Sequence, residues 1–206
     1  RPLELMVPGF RLRLPRLPAP LNLVLGLLRA QGLSLKDKLA AARFMNTLKE
    51  RAFRLPRDET AGALLRRHHQ PAGLVDKLWA PLCIAALNTP VEQASAQVFC
   101  NVLRDSLAGE RADSDLVMNR ADLGRLFPEA AADFLKGHGA TVHTASKVHS
   151  VQCRAGGFFL EGPDLQVQRM VLATHPARLP DLLGDMPEAA PVIRQVAAYT
   201  WQPILT

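Results

Sequence analysis

The chain has 206 residues, 48% of them hydrophobic and 5% aromatic, with a formal net charge of +6. That length and apolar content suit one large domain, or one domain with part of another, and exclude a disordered chain. No apolar stretch, Leu21 to Leu28 included, approaches the ~18 residues that read as a membrane span.

Cys83, Cys100 and Cys153 are odd in number and far apart, with no C-x-x-C pair. They argue for reduced thiols in a cytoplasmic setting and against a disulfide framework or a zinc site. The charge is uneven: residues 1–71 hold 14 Lys and Arg against 5 Asp and Glu, and the remainder holds 11 against 14. Such asymmetry fits either an anionic ligand or membrane surface near the N-terminal half, or the solvated faces of amphipathic helices.

Residues 2–14 alternate around Pro8-Gly9 and read as a hairpin, with Arg11 and Arg13 on the face opposite Phe10, Leu12 and Leu14. A helix is expected over Leu21 to Ala30, ending at Gly32. Another follows Ser34 as N-cap, with Asp37 three residues on and an apolar stripe of Leu39, Ala42, Met45, Leu48 and Ala52. Asp58 or Thr60 caps a short helix through Arg67. In Arg66-Arg67-His68-His69, adjacent histidines on a helix face different ways, so no metal site is expected there.

Pro71 opens a segment running to Leu87 whose second half, Leu78 to Leu87, is apolar on nearly every side. Such a helix is buried or lines an oily cavity, and Pro81 inside it predicts a kink or break. Thr89-Pro90-Val91-Glu92 has the form of a capping box, predicting a helix from there to Gly109. Residues 110–121 read as loop, and Pro128 to Lys136 as helix. Strands are expected at Thr141–Thr144, Lys147–Gln152, Phe158–Leu160 and Leu165–Thr174, the last closing on the buried-looking run Met170 to Ala173. Residues 176–198 return to helix, interrupted near Gly184. The order, helices before residue 138 and strands after it, predicts an α+β fold with a helical lobe over 1–137 and a β-rich segment over 138–206.

The run Trp79-Ala80-Pro81-Leu82-Cys83-Ile84-Ala85-Ala86-Leu87-Asn88-Thr89-Pro90, with Ala94 to Phe99 and Asn101-Val102-Leu103-Arg104-Asp105-Ser106-Leu107, resembles the squalene-associated FAD-dependent desaturases. These are also called hydroxysqualene dehydroxylases, within the amine oxidase and phytoene desaturase superfamily. Asp115 to Met118, Ala121 to Leu123, Leu126 to Pro128 and Val171 to Pro176 are similar to later segments of that family. The resemblance covers most of the chain.

It implies a helix-rich substrate-binding lobe followed by strands that return to an FAD-binding, Rossmann-like fold. The implied activity is FAD-dependent oxidoreduction of a squalene-type isoprenoid, such as hydroxysqualene to squalene. Trp79, Leu82, Ile84 and Phe99 would line the apolar substrate site, although ordinary core packing would give them the same composition. Val148, Ala173 and Thr174 would lie against FAD. No residue is singled out as catalytic.

No G-x-G-x-x-G turn occurs in the chain, so the pyrophosphate cradle of such a flavoprotein is missing. With Arg1 first and an apparent strand beginning at Tyr199, the chain is expected to be a central fragment that holds flavin weakly and is inactive alone. Its expected partners are the isoprenoid, the remainder of the flavoenzyme and an anionic membrane surface at the inner face. The alternative is a non-catalytic membrane-docking module with a basic face. Nucleic acid is not expected, because no aromatic interleaving accompanies the basic residues.

Overall fold

The computed structural model describes residues 1–184 and 186–201. The chain forms two compact units that divide after Met118. It is mixed helix and strand with small sheets, consistent with α+β. The change from helix to strand at residue 138 lies inside the second unit.

In the first unit, β1 (Glu4–Val7) and β2 (Phe10–Arg13) form the expected antiparallel hairpin. Phe10, Leu12 and Leu14 are buried while Arg11 and Arg13 face outward. Helix α1 (Leu21–Arg29) lies against β2 through Asn22 and Gly26. A Cβ at Gly26 would stand 2.6 Å from Leu14 Cδ2, so the close approach needs glycine. Helix α2 (Leu35–Glu50) begins with the expected Ser34–Asp37 capping box. Its core stripe, however, is Ala41, Phe44 and Leu48. Leu39, Ala42 and Ala52 are exposed, because burying Phe44 rotates the helix away from the stripe expected from aliphatic periodicity.

Helix α3 (Ala61–Arg67) is capped by Thr60, whose side chain accepts from Ala63 N. Helix α4 (Ala72–Leu74) passes through a π turn, Val75–Trp79, into α5 (Ala80–Leu87). The π turn is how the chain accommodates Pro81. Ala80 N–H reaches Val75 O, five residues back, and the helix continues past the missing donor.

The helix expected from Thr89 starts later, as α6 (Ala96–Leu103) with Ser95 as its cap. Thr89 Oγ1 instead donates to Leu87 O. Segments 59–62 and 91–96 run alongside each other, with Ala61 N to Ala94 O at 2.8 Å, Gly62 N to Val91 O at 2.7 Å and Ala96 N to Glu59 O at 2.8 Å. Pro90 does start one turn, with Ala94 N to Pro90 O at 2.8 Å, but this pairing stops it from continuing and the helix restarts at Ser95. A second π turn, Arg104–Ala108, ends at Gly109 as expected.

Asp58 fastens the junction. Its carboxylate accepts from Ser95 Oγ at 2.7 Å, from Gln97 N at 3.0 Å and from Glu59 N at 3.0 Å. Desolvation opposes its ionisation, but the hydrogen bonds from Ser95, Gln97 and Glu59 outweigh it. The carboxyl is therefore held below its usual 3.8.

In the second unit, α7 (Leu123–Leu126) and α8 (Pro128–Gly137) precede a three-stranded antiparallel sheet. Its strands are β3 (Ser150–Arg154), β4 (Gly157–Glu161) and β5 (Leu165–Val167). Thr141–Thr144 is not strand, and Met170–Ala173 is neither strand nor a buried run: Val171 is 91% exposed. The run carries strand-like residues but, among the described residues, pairs with no strand. Helices α9 (Leu179–Leu183) and α10 (Ala190–Ala197) follow, with the expected break after Leu183. The small core of this unit is built on Val151, Leu182, Leu183 and Ala189. Among the described residues both sheets are purely antiparallel, and no helix is long and apolar enough to cross a membrane.

Replacing Asp58 by alanine is expected to lower stability at pH 7 by about 1 kcal/mol, a modest loss because the site is solvent-accessible. The folded carboxyl titrates below its unfolded 3.8, so its contribution is complete above that value and is lost as pH falls through the folded value. Urea unfolding at pH 7 and again below about pH 3 checks this. An undiminished gap between parent and Asp58→Ala at the lower pH would contradict it.

Candidate functional site

The four residues proposed to line a substrate wall occupy unlike environments. Trp79 and Phe99 are core side chains, 2% and 0% exposed. Their rings meet edge to face at 6.4 Å, and Trp79 meets Phe44 in the same manner at 5.3 Å. The indole Nε1 donates to Gln70 Oε1 at 3.0 Å. Leu82 is half-buried against the same core, and Ile84, 49% exposed, faces outward.

Helix α5 is thus apolar all round but buried on one side only. Cys83 faces the core, while Ile84, Ala85 and Ala86 face outward. The Cys83 and Cys100 thiols are each pushed up to about 11, chiefly by burial and then by the neighbouring carboxylates Glu92 and Asp58 respectively. Both stay protonated at neutral pH and serve packing, not nucleophilic chemistry. Arg104 and Asp105 pair with each other at 2.7 Å on the surface.

The charged run Arg66 to His69 is also accounted for locally. Arg67 pairs with Glu59. His68 lies against Phe44, with ring centroids 5.3 Å apart, and burial together with Arg67 and Arg51 lowers its pKa. Among the described residues no cluster of three His, Cys, Asp or Glu side chains is placed to hold a metal ion.

The three residues assigned to the flavin side behave differently, because they come together. Val148, Ala173 and Thr174 line one cleft of about 370 Å³ in the second unit. Its other walls are Leu160 from β4, Leu182 from α9 and the irregular run Met170 to Leu172, with Lys147 and Arg178 adding positive charge. Val148 lies two residues before β3, and Gly162 keeps the chain beside Lys147 close. A Cβ on Gly162, at φ +112°, would overlap the Lys147 carbonyl oxygen.

Arg178 is partly neutralised by Asp181, 3.3 Å away, whereas Lys147 has no carboxylate partner among the described residues. The lining is mostly apolar residues with two cationic ones, suited to a flat or apolar group carrying negative charge. Sequence reading did not find Lys147 and Arg178. Nothing local distinguishes them from other surface cations, and only the fold brings them to the same cleft.

A second cleft, in the first unit, is lined by Arg16, Leu17, Pro18, Ala19, Gly109, Glu110 and Arg111. Neither cleft includes Trp79, Leu82, Ile84 or Phe99.

The contrast within the substrate group is measurable. Trp79→Ala is expected to destabilise the first unit by about 3–5 kcal/mol. Ile84→Ala is expected to change stability by no more than about 0.5 kcal/mol. Chemical unfolding followed by circular dichroism checks both, and similar costs at the two positions would contradict the one-sided burial of α5.

Compared with known protein families and with curated proteins, the chain matches no family model and no curated sequence.

Proposed function

We propose that the chain is the substrate-handling part of an FAD-dependent oxidoreductase that acts on a squalene-type isoprenoid. The observation that carries this reading is the cleft of the second unit. Val148 and the adjacent pair Ala173-Thr174, assigned to the flavin side by resemblance and about 25 residues apart, share it. The run from Trp79 to Leu107, on which the resemblance chiefly rests, supplies the apolar character that a hydrocarbon substrate requires.

The residues fit the cofactor in part. At about 370 Å³ the cleft lies at the small end of ligand sites and would take one end of a dinucleotide. No Gly-rich turn is present to cradle a pyrophosphate, and that element would come from polypeptide outside residues 1–206. When bound in its reduced form, the flavin would supply a hydride, which carries both electrons, to the carbon whose hydroxyl takes up a proton and leaves as water. Residues of this chain would hold and orient. Lys147 and Arg178 would meet negative charge, and Val148, Leu160 and Leu172 would pack against a flat ring. On the helical unit, Ile84 on the outer side of α5, with the half-buried Leu82 beside it, would contact the isoprenoid. Trp79 and Phe99 would back them as fixed core, where each CH₂ withdrawn from water gains roughly 0.8 kcal/mol.

Two measurements test the reading. Titrating FAD into the isotopically labelled chain is expected to shift the backbone amides of Val148, Ala173 and Thr174, with weak affinity. Unshifted amides there, or stoichiometric tight flavin, would each contradict the assignment of the cleft to one end of the cofactor. Deleting the encoding gene is expected to make the cell accumulate a hydroxylated C30 isoprenoid detectable by mass spectrometry. An unchanged isoprenoid pool would remove the proposed substrate class.

A further inference from the structure

Helix α1 is turned outward. The side facing the protein carries Asn22, Gly26 and, at its C-cap, Ala30, all buried. The opposite side carries Leu21, Val24 and Leu28, each more than half exposed. At 100° per residue these three fall on one face with Leu25, and no polar side chain interrupts them. The helix therefore divides its aliphatic side chains, with Leu23 and Leu27 packed against the core and Leu21, Val24 and Leu28 left outward.

The first turns of α2 continue the theme. Leu35 and Leu39 are 75% and 55% exposed, and Ala42 extends the row. Lys38 Nζ donates to Leu28 O at 2.7 Å and ties the start of α2 to the last turn of α1. Five exposed aliphatic side chains, Leu21, Val24, Leu28, Leu35 and Leu39, therefore sit on two helices linked by this bond, and exposed apolar area of this kind favours a partner.

The charges around it identify that partner. Arg29 closes α1, while Lys36 and Arg43 flank the Leu35–Leu39 row. None of these three makes an ion pair with a carboxylate among the described residues. The nearest acid in sequence, Asp37, is committed to the Ser34 cap, with hydrogen bonds at 2.8 and 2.9 Å. A protein groove would be expected to present carboxylates at defined points. Exposed leucines set among exposed cations without a carboxylate partner instead match the interface of an anionic bilayer, where aliphatic side chains enter the acyl boundary and cations stay with the phosphates.

We infer that α1 and the first turns of α2 form a docking face for anionic phospholipid bilayers. The inference does not depend on the flavoenzyme reading, since it uses no residue of the cleft and no redox chemistry.

The test is co-sedimentation of the chain with vesicles of phosphatidylcholine alone and of phosphatidylcholine with about 30% phosphatidylglycerol. Binding to the anionic vesicles is expected, weakening as salt rises from about 0.1 M to about 0.5 M. Two variants dissect the face: Val24→Ser with Leu28→Ser and Leu35→Ser, and Arg29→Gln with Lys36→Gln and Arg43→Gln. Each is expected to lose at least about tenfold in partitioning while keeping the parent's circular dichroism and melting behaviour. A reporter variant, Leu35→Trp, is expected to add a fluorescence component that shifts to the blue on anionic vesicles, and it leaves the other leucines in place.

Equal binding to neutral and anionic vesicles, parental binding by either folded variant, or an unshifted Leu35→Trp signal would overturn the inference. So would a parent dimer that the serine variant dissociates, because the face would then belong to a second copy of the chain.

Discussion

The burial of Trp79 organises the first unit. An indole taken out of water loses stability unless its N–H finds an acceptor, and Gln70 provides one at 3.0 Å. The amide of Gln70 also donates to the carbonyls of Ala40 and His68. One side chain thus joins α2, the end of α3 and the π turn. Phe44 and Phe99 close on the indole edge to face from α2 and α6. The π turn belongs to the same solution, because it lets the helix carry Trp79 into the core and then continue through Pro81, which has no N–H to give.

That core determines what remains available at the surface. Once Trp79, Cys83 and Phe99 face inward, the outer side of α5 presents Ile84, Ala85 and Ala86 to whatever lies outside. Similarly, Gly26 brings α1 close to β2 by its small side, with Leu23 and Leu27 against the core and Leu21, Val24 and Leu28 outward. Apolar area exposed in this way is unfavourable in water in proportion to its extent. Both surfaces are therefore where an oily partner would be gained, whether a hydrocarbon or a bilayer.

The two units divide the electrostatics as well. Residues 1–118 hold 17 Lys and Arg against 11 Asp and Glu, while residues 119–203 hold 8 of each. The unit with the outward leucines carries the whole excess of positive charge. The cleft lies in the unit without net charge, and its positive character comes from two placed side chains, Lys147 and Arg178. A field spread over a surface suits a diffuse anionic partner, whereas two cations in one cleft suit a discrete one.

Local signals in the sequence were sufficient wherever a few adjacent residues decide the outcome. The Pro8-Gly9 hairpin, the Ser34–Asp37 box, the Thr60 cap, the ends at Gly109 and Gly184 and the irregularity before Pro81 were all legible. Each rests on dihedral preference or on a hydrogen bond within one turn. The start of α6 was not, because strand-like pairing with residues 59–62 and the Asp58 carboxylate competes with the Thr89 signal across a long stretch of chain. Nor were the face that α2 buries or the outward rotation of α1, since aliphatic spacing defines a stripe but not what that stripe meets. Composition determined that Leu78 to Leu87 is apolar; tertiary packing alone decided that Trp79 points in and Ile84 out. The sequence likewise holds Val148, Ala173 and Thr174, but only the folded second unit places them, with Lys147 and Arg178, around one cleft, because proximity across 26 residues depends on how the chain turns between them.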